Sequence, residues 1–582
     1  MTTERKSVGF ECKHVNYATA ADGSLNDLLF IKEVEHFSDG TTQPRTRMIR
    51  NFQRHFYVTK EPFRNHQEKK ESEPLLRLRR FPTTQIEMPD RVSRALGRGR
   101  PQDRRMNRIC RSPYVYGTDV TTPVLAKEHY MRTWPQNVSI NTLAAIDSET
   151  DMETEEIIML SVTYKSKARL IVVEGFLKGI VDPIPALHAM AREYIGDVLE
   201  SRNIQLEIEL VANAGDCAAR AIATAHEWKP DFLAAWNMDY DVPKMIEALV
   251  RYGYDPNQLF PDPSVPQHFR RPTHEGSIPS GFRNLKDVKD PIAFLRQFGY
   301  FQGKKNKVTA GGDVTPLHPA EQWHQLDQPA SWYLIDPMCV YLRMRVAKGK
   351  EQSYSLDAIL EKHGVKRKLK FEAADHLTKG AWHVFMQKNY RLEYCIYNLY
   401  DSIAIEMLDE VTTDLRQQIS SLCGFSEYHR FPSQPRRLAD DFHFFALQRD
   451  RVVGSTSDQM EMEIDSHVIS MEGWIVTLPS WALSPDEGVA CVEEMPEFSS
   501  LLFAHVADLD VEGTYPNEEV LMNISRSTTK MELVDIEDCT EATRRAIGVN
   551  LTSGPTNAVE ITTALYKAPE LSDLLTLYRS AA

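Results

Sequence analysis

Paired cysteines, long apolar runs and a secretory leader are all missing from this sequence of 582 residues. No Cys-x-x-Cys pair occurs, which argues against zinc knuckles, dithiol redox sites and a disulfide framework. No hydrophobic run approaches the roughly 20 residues that cross a bilayer, and the start Met1-Thr2-Thr3-Glu4 leads into no apolar leader segment. We therefore expect a multidomain protein of the cytoplasm without a membrane partner. The scattered cysteines are Cys12, Cys110, Cys217, Cys339, Cys395, Cys423, Cys491 and Cys539.

Charge is distributed unevenly along the chain. The net charge is −14, yet residues 41–110 contain 18 Lys and Arg against 7 Asp and Glu, whereas residues 451–582 contain 7 against 23. A basic front and an acidic end suit a protein that contacts phosphates in one region and holds metal ions in another. The Arg-rich stretch from Arg77 to Arg108 fits a solvated loop or a loop that orders on nucleic acid, and we favour the second.

Two closely spaced acids follow an apolar run. Residues 142–146 read as a strand that leads into Asp147-Ser148-Glu149, and the β-rich run 157–164 follows. Residues two apart on a strand point to the same face, so we expect Asp147 and Glu149 side by side. Adjacent carboxylates repel each other unless a cation lies between them, which predicts a Mg²⁺ or Mn²⁺ site. Taken alone, the pattern also fits a solvated acidic turn.

A second acidic pattern lies where a short strand, residues 231–236, runs into a helix predicted over residues 242–252. Asn237 and Asp241 occupy this junction, where Asn and Asp often cap a helix. The functional interpretation makes Asp241 a further metal-binding or water-positioning carboxylate and lets Asn237 contact a bound strand. Asp239 competes with Asp241 for this role, and the aromatic-Asp-Val-Pro context favours Asp241.

A third pattern lies on a long helix predicted over residues 389–423, with Gly424 as its stop. Tyr397 and Asp401 are four residues apart and so share one helix face. A phenol one turn away from a metal-binding carboxylate can orient an attacking water, although Tyr397 also fits a core aromatic. Carboxylates that arrive in the order strand, strand–helix junction and helix predict a two-metal nuclease site.

These patterns resemble the DEDDy-type 3′–5′ exonuclease domain of family B replicative DNA polymerases. The resemblance implies that Tyr397 orients the attacking water and that Asn237 contacts the single-stranded DNA. It also implies a ribonuclease-H-like α/β domain with two Mg²⁺ or Mn²⁺ ions at its exonuclease site. The residues that match the family's metal-binding acids are Asp147, Glu149, Asp241 and Asp401.

The resemblance extends to other segments of these polymerases. Residues 51–58 resemble a strand of their N-terminal domain, and residues 353–358 resemble the helix start before the third exonuclease motif, with Ser353 or Ser355 as its cap. Residues 508–517 are similar to polymerase motif A, particularly that of the T-even phage type.

Motif A implies a palm site for nucleotide addition. The resemblance makes Asp510 a metal-binding aspartate and Tyr515 the residue that packs beneath the sugar of the incoming nucleotide. An apolar run precedes Asp508 and Asp510, which lie at a predicted strand end. Because the two aspartates are two residues apart, both should point to one face of the strand. Phosphoryl transfer needs little beyond positioning and metal-held charge neutralisation, which a carboxylate on a rigid strand supplies.

The second palm carboxylate and the fingers helix of family B polymerases are absent from the 67 residues that follow Tyr515. We therefore expect this chain to be the front part of a split DNA polymerase in the cytoplasm of an infected bacterial host. Its expected partners are primer–template DNA with a single-stranded 3′ end, a second polypeptide with fingers and thumb, and a sliding clamp. The alternatives are a stand-alone 3′–5′ exonuclease on single-stranded DNA or RNA, and a structural or clamp-binding subunit with a silent nuclease.

The expected fold class is α/β in a multidomain (α+β) chain. Residues 1–135 should form a β-rich N-terminal domain, and residues 136–405 the ribonuclease-H-like exonuclease. Residues 406–582 should return to the N-terminal domain and then begin the palm. Within the exonuclease, residues 255–325 either carry a hairpin that helps to separate strands or form an ordinary insertion.

Overall fold

The computed structural model describes residues 5–66, 69–274, 276–308, 312–378 and 380–458, with residues 517 and 520 and four short strands beyond residue 490. It is a mixed α/β structure. Within these described residues no helix is long and apolar enough to cross a membrane, and no two cysteines form a disulfide. The chain divides into two units, residues 1–65 with 74–458 and residues 66–73 with 459–582.

The amino-terminal part of the chain is rich in antiparallel strands. Its strands are β1 Ser7–Thr19, β2 Asp27–Phe37, β3 Thr42–Arg50, β4 Arg54–Thr59, β5 Ser72–Pro74, β6 Leu78–Thr83 and β7 Val115–Tyr116. Its helices are α1 Met88–Ala95, α2 Met106–Ile109 and α3 Thr122–Thr133. One sheet has the order β1-β2-β3 and another the order β6-β4-β7. The strand predicted over residues 51–58 begins only at Arg54, because Asn51 has a positive φ of 50° and its side chain accepts a hydrogen bond from the amide of Asp27.

A six-stranded sheet forms the centre of the first unit. Its strands are β8 Leu143–Thr150, β9 Ile157–Tyr164, β10 Lys167–Val173, β11 Gln205–Val211, β12 Phe232–Ala234 and β17 Tyr333–Ile335. The short strands before β17 are β13 Tyr300–Phe301, β14 Asn306–Val308, β15 Val314–Pro316 and β16 Gln325–Leu326. The strand order is β11-β10-β9-β8-β12-β17. Strand β9 runs antiparallel to β8 and β10, whereas β12 is parallel to both β8 and β17.

Helices cover both faces of this sheet. They are α4 Pro183–Ser201, α5 Ala214–Trp228, α6 Met238–Arg251, α7 Pro256–Leu259, α8 Pro291–Gln297, α9 Pro337–Met344, α10 Leu356–Lys362, α11 Gly380–Asn389 and α12 Arg391–Thr412. Helices α4, α9, α10 and α12 pack in one apolar core, and α5 and α6 in another. Every residue of β9 is buried, as expected for a strand covered on both faces.

Two elements near the predicted site extend further than the sequence indicates. Strand β8 continues to Thr150, so Asp147 and Glu149 lie within the strand rather than after it. Helix α6 begins at Met238, four residues before the predicted start. The carboxylate of Asp336 explains this start, because it accepts hydrogen bonds from the amides of Asn237 (3.2 Å) and Met238 (3.0 Å).

The continuous helix predicted over residues 389–423 is wrong. Helix α12 ends at Thr412, a π-helical turn follows over Asp414–Gln418, and α13 Ile419–Cys423 completes the segment. Thr413 has a positive φ of 57°, and the Asp409 carboxylate accepts the amide of Leu415 at 2.7 Å. A side chain that captures a backbone N–H in this way competes with continued α-helical bonding.

The remaining elements of the first unit are a hairpin and a return segment. Strands β14 and β15 pair as an exposed antiparallel hairpin within residues 255–325. Helix α14 Gln434–Leu447 and strand β18 Arg451–Val453 return to the amino-terminal elements, where Phe444 packs with Val120 and Val124. The second unit contains β19 Cys491–Met495, β20 Ser500–Phe503, β21 Gly548–Thr552 and β22 Ala558–Thr562, paired as two hairpins.

Candidate metal centre

Strand β8 and helix α12 bring three carboxylates to one point. Asp147 and Glu149 alternate along β8 and therefore project from the same face, while Asp401 reaches them from α12. One carboxylate oxygen from each of the three lies within 4.8 Å of the other two. Asp401 is only 2% exposed, and its Oδ1 has no hydrogen-bond partner among the described residues. Hard oxygen ligands with a buried, unsatisfied oxygen fit a divalent cation such as Mg²⁺ or Mn²⁺.

Asp241 contacts Ser148, the residue between Asp147 and Glu149 on β8. The Oδ1 of Asp241 accepts hydrogen bonds from the Ser148 amide at 3.2 Å and from its hydroxyl at 2.5 Å. Asp239 turns away from this site and accepts hydrogen bonds from Tyr300 Oη (3.1 Å) and Gln302 Nε2 (2.6 Å). Of the two aspartates, Asp241 is therefore the one bonded to strand β8, but its carboxylate is not one of the three that converge within 4.8 Å.

Burial makes the ionised state of these acids unfavourable. It raises the pKa of Glu149 to about 8 and that of Asp241 to about 7. Burial also raises the pKa of Asp147 well above its usual range, and the charges of Asp401 and Asp241 add to this effect. The pKa of Asp401 is raised for the same reason, burial. A bound divalent cation would favour the ionised forms and remove the repulsion among them.

A lysine joins the cluster from the segment between α10 and α11. Lys368 Nζ donates to Asp401 Oδ2 at 2.5 Å and to Tyr397 Oη at 3.0 Å. The neighbouring negative charges, led by Asp401, raise the pKa of this lysine despite its burial. The sequence patterns did not identify Lys368, because it lies on no periodic element and its distance along the chain from Asp401 has no characteristic value.

The predicted tyrosine faces the acids. Tyr397 is 9% exposed, and its ring lies 4.9 Å from that of Trp382 and stacks with that of Tyr394 at 6.1 Å. It is thus both a core aromatic, as one interpretation of the sequence had it, and a neighbour of the acid Asp401, with which it shares the contact to Lys368. Its hydroxyl is held by Lys368, which fixes the position of the oxygen relative to Asp401.

A network of neutral side chains supports Glu149, and no sequence pattern identified any of its members. Tyr394 Oη donates a hydrogen bond to Glu149 Oε2. The same hydroxyl lies 2.8 Å from His383 Nδ1 and accepts a hydrogen bond from Gln387 Nε2 at 3.3 Å. Gln387 also donates to the carbonyl of Thr150 at 2.8 Å, which ties α11 to the end of β8. Tyr394 lies three residues before Tyr397, and this helical spacing was the one available signal.

Asp147 has its own support from helix α12. Asn398 Nδ2 donates to Asp147 Oδ2 at 2.7 Å and to the Asp147 carbonyl at 3.2 Å. Asn398 is fully buried. About two turns of α12 thus contact the strand acids through Tyr394 and Asn398 and add Asp401 as a further carboxylate.

Of the remaining predicted residues, the structure describes Asn237 but not those of motif A. Asn237 stands at the N-cap position of α6, as one interpretation of the sequence had it, but it is exposed, has a positive φ of 67° and makes no capping hydrogen bond with its side chain. Asp510 and Tyr515, together with the rest of the motif A segment, lie outside the described residues. Their roles stay predictions.

Comparison with known proteins adds no identification. No protein-family model matches the chain, and no curated protein matches it. The geometry of the carboxylate cluster and the residues around it therefore indicate what the chain can do.

Proposed function

We propose that this chain is a 3′–5′ exonuclease that hydrolyses the terminal phosphodiester of single-stranded DNA with two divalent cations. The observation that carries the proposal is the convergence of Asp147, Glu149 and Asp401 within 4.8 Å of one another. Tyr397 and Lys368 lie against the same acids. The residues come from a strand and a helix more than 250 positions apart, an arrangement that packing alone does not require.

The sheet topology supports a ribonuclease-H-like fold for this part of the chain. A sheet order of β10-β9-β8-β12-β17, with β9 antiparallel to its neighbours and β12 parallel to β8 and β17, is the arrangement expected of that fold. Strand β8 is central in this order and carries the first two acids. Central placement holds them rigidly because both neighbouring strands and both helical layers restrain the backbone.

The proposed reaction uses the side chains in distinct roles. Asp147, Glu149 and Asp401 would hold the divalent cations. Asp241, which Ser148 positions, would be the further acid. Divalent cations supply an activated water and neutralise charge on the phosphate. Tyr397 orients the attacking water, whose oxygen bonds to phosphorus as the bond to the 3′ oxygen of the preceding nucleotide breaks. That 3′ oxygen takes up a proton, and a nucleoside monophosphate leaves.

The wider role that we propose is proofreading within a split family B polymerase. The acids of motif A would supply one palm carboxylate, and a second polypeptide would supply the fingers, the thumb and the rest of the palm. The basic surplus of residues 41–110 suits a DNA-binding front. All four proposed exonuclease acids belong to the described residues, and motif A does not. A stand-alone 3′–5′ exonuclease on DNA or RNA is therefore the second candidate.

The metal-site acids are tested with paired variants. With 5′-labelled single-stranded DNA and Mg²⁺, Asp147→Asn and Asp401→Asn should lower the rate of 3′-end removal by about 10²–10³-fold, the range for loss of one charge-stabilising group. Asp241→Asn should also lower it, whereas Asp239→Asn, two residues away in the same helix, should retain most activity. DNA binding should persist in every variant. Equal activity of Asp239→Asn and Asp241→Asn, or full activity of Asp401→Asn, would contradict the proposal.

A second measurement separates the two candidate functions. The purified chain should shorten a primer but add no nucleotides to it, and a polypeptide with fingers and thumb sequences should co-purify from cells that make the native protein. Primer extension by the isolated chain would refute the split polymerase. Nuclease activity with no such partner would favour the stand-alone exonuclease.

A further inference from the structure

A cavity of about 330 Å³ lies in the amino-terminal part of the first unit and shares no lining residue with the metal centre. Residues of β4, β6, α3, α14 and β18 enclose it. Pockets for small ligands typically measure about 300–1,000 Å³, so this one is large enough for a mononucleotide. The metal centre does not account for it.

The charged side chains around this cavity are almost all cationic or able to become so. Glu128 is the one carboxylate among the described lining residues, and it already forms a salt bridge with Arg132. Such a lining attracts anions. The basic lining side chains are Arg54, Arg80, Arg132, His55, His129 and His443.

Two of these arginines form no salt bridge with a described carboxylate. Arg80 lies within salt-bridge distance of no described carboxylate and donates instead to His55 Nδ1 at 3.0 Å. Arg54 is only 2% exposed, and its terminal nitrogens donate to Gln85 Oε1 and to the Thr118 carbonyl at 3.5 Å. Its Nε is buried and has no hydrogen-bond partner among the described residues. The buried guanidinium of Arg54 therefore adds positive charge to the wall of the cavity.

The rest of the lining suits the apolar part of a nucleotide. Phe52, Tyr57 and Phe444 present aromatic surface to the cavity. Nucleobases of any sequence pack on such rings. The crowding of cations is visible at His55, whose pKa is lowered by burial and by the charges of Arg80 and Arg54.

We propose that this cavity binds a nucleotide, with its phosphate on the arginines and its base against the aromatic side chains. The ligand is either a free mononucleotide or the phosphorylated end of a nucleic acid strand, which offer the same chemistry. The proposal does not depend on the exonuclease, because the two sites share no residue and the second needs no metal.

The test is calorimetric titration of the full chain in EDTA with AMP, inorganic phosphate and adenosine. AMP should bind, phosphate should bind more weakly and adenosine should not bind measurably. Arg80→Gln should weaken AMP binding about tenfold, the effect of losing one charge-assisted hydrogen bond. Arg79→Gln is the matched control, because Arg79 is exposed on the same strand, packs over Phe81 and does not line the cavity.

A second variant is expected to bind AMP more tightly, a result that misfolding would not produce. Glu128→Gln removes the one lining carboxylate and should tighten AMP binding about threefold. A single-stranded oligonucleotide that binds more tightly with a 5′-phosphate than without one, with the difference lost in Arg80→Gln, would identify the strand end as the ligand, whereas AMP binding without such a difference would identify the free nucleotide. Equal binding of adenosine and AMP, equal effects at Arg79 and Arg80, or no binding at millimolar AMP would overturn the proposal.

Discussion

Tyr394→Phe removes a single hydroxyl group that donates a hydrogen bond to Glu149 and accepts one from Gln387. Because Tyr394 is fully buried, water cannot replace the lost donor easily. A hydrogen bond to a charged group contributes roughly 1.5–3 kcal/mol, and each 1.4 kcal/mol is about a factor of ten in affinity. We therefore expect the dissociation constant for Mn²⁺ to rise about 10- to 100-fold, in line with the effect of other groups that orient metal ligands.

The assay is the rate of 3′-end removal from single-stranded DNA as a function of Mn²⁺ concentration. The variant should need more Mn²⁺ to reach half of its maximal rate, yet its maximal rate should lie within a few-fold of the original. Tyr400→Phe is the matched control. Tyr400 is equally buried on the same helix, but its hydroxyl donates to the carbonyl of Lys366 at 2.7 Å.

Three results would refute this reasoning. The first is an unchanged Mn²⁺ requirement in Tyr394→Phe, which would mean that the hydroxyl does not orient Glu149. The second is the same shift in Tyr400→Phe, which would indicate a general loss of stability. The third is a loss of activity that added Mn²⁺ does not restore.

Three further predictions concern charge and backbone geometry. Without metal, the free energy of unfolding should fall by on the order of 2 kcal/mol between pH 5 and 8. The reason is that Glu149 stays protonated in the folded protein up to its pKa of about 8 but ionises more readily in the unfolded chain. Chemical denaturation at a series of pH values should show this fall, and either added Mg²⁺ or Glu149→Gln should reduce it. Lys368→Gln should lower the exonuclease rate about 10-fold or more, since it removes the cation that holds Asp401 and the phenol, and a pH–rate profile at saturating Mg²⁺ should also change shape. Gly424→Ala should lower the free energy of unfolding, measured by thermal unfolding, by about 1–3 kcal/mol. The φ of Gly424 is 56°, and an added Cβ would lie 2.7 Å from an oxygen of Asp441. Gly23→Ala should lower it less, because Gly23 has a positive φ but open surroundings.

The sequence predicts the parts of the site that depend on local periodicity. Alternation along a strand places Asp147 and Glu149 on one face, and helical spacing places Tyr397 beside Asp401. These relations are set within a few residues, so they survive any arrangement of the rest of the chain.

Relations that depend on tertiary packing are beyond the reach of such patterns. Asp239 and Asp241 lie in the same turn of α6, and only their contacts with Tyr300 and Ser148, respectively, show which one lies beside the cluster. Lys368 joins the site from a non-periodic connection. The end of α12 was missed for a related reason, since Asp409 is an ordinary helical residue until its side chain captures the amides that follow Thr413.

The return of β18 to the amino-terminal elements has a consequence for biosynthesis. Ser455 Oγ accepts hydrogen bonds from the amide and the hydroxyl of Thr118, a residue 337 positions earlier. During translation, therefore, the ribosome must make the whole six-stranded sheet and its helices before Thr118 acquires this partner. The six-stranded sheet with its helices should become protease-resistant on stalled nascent chains earlier than the segment that precedes it.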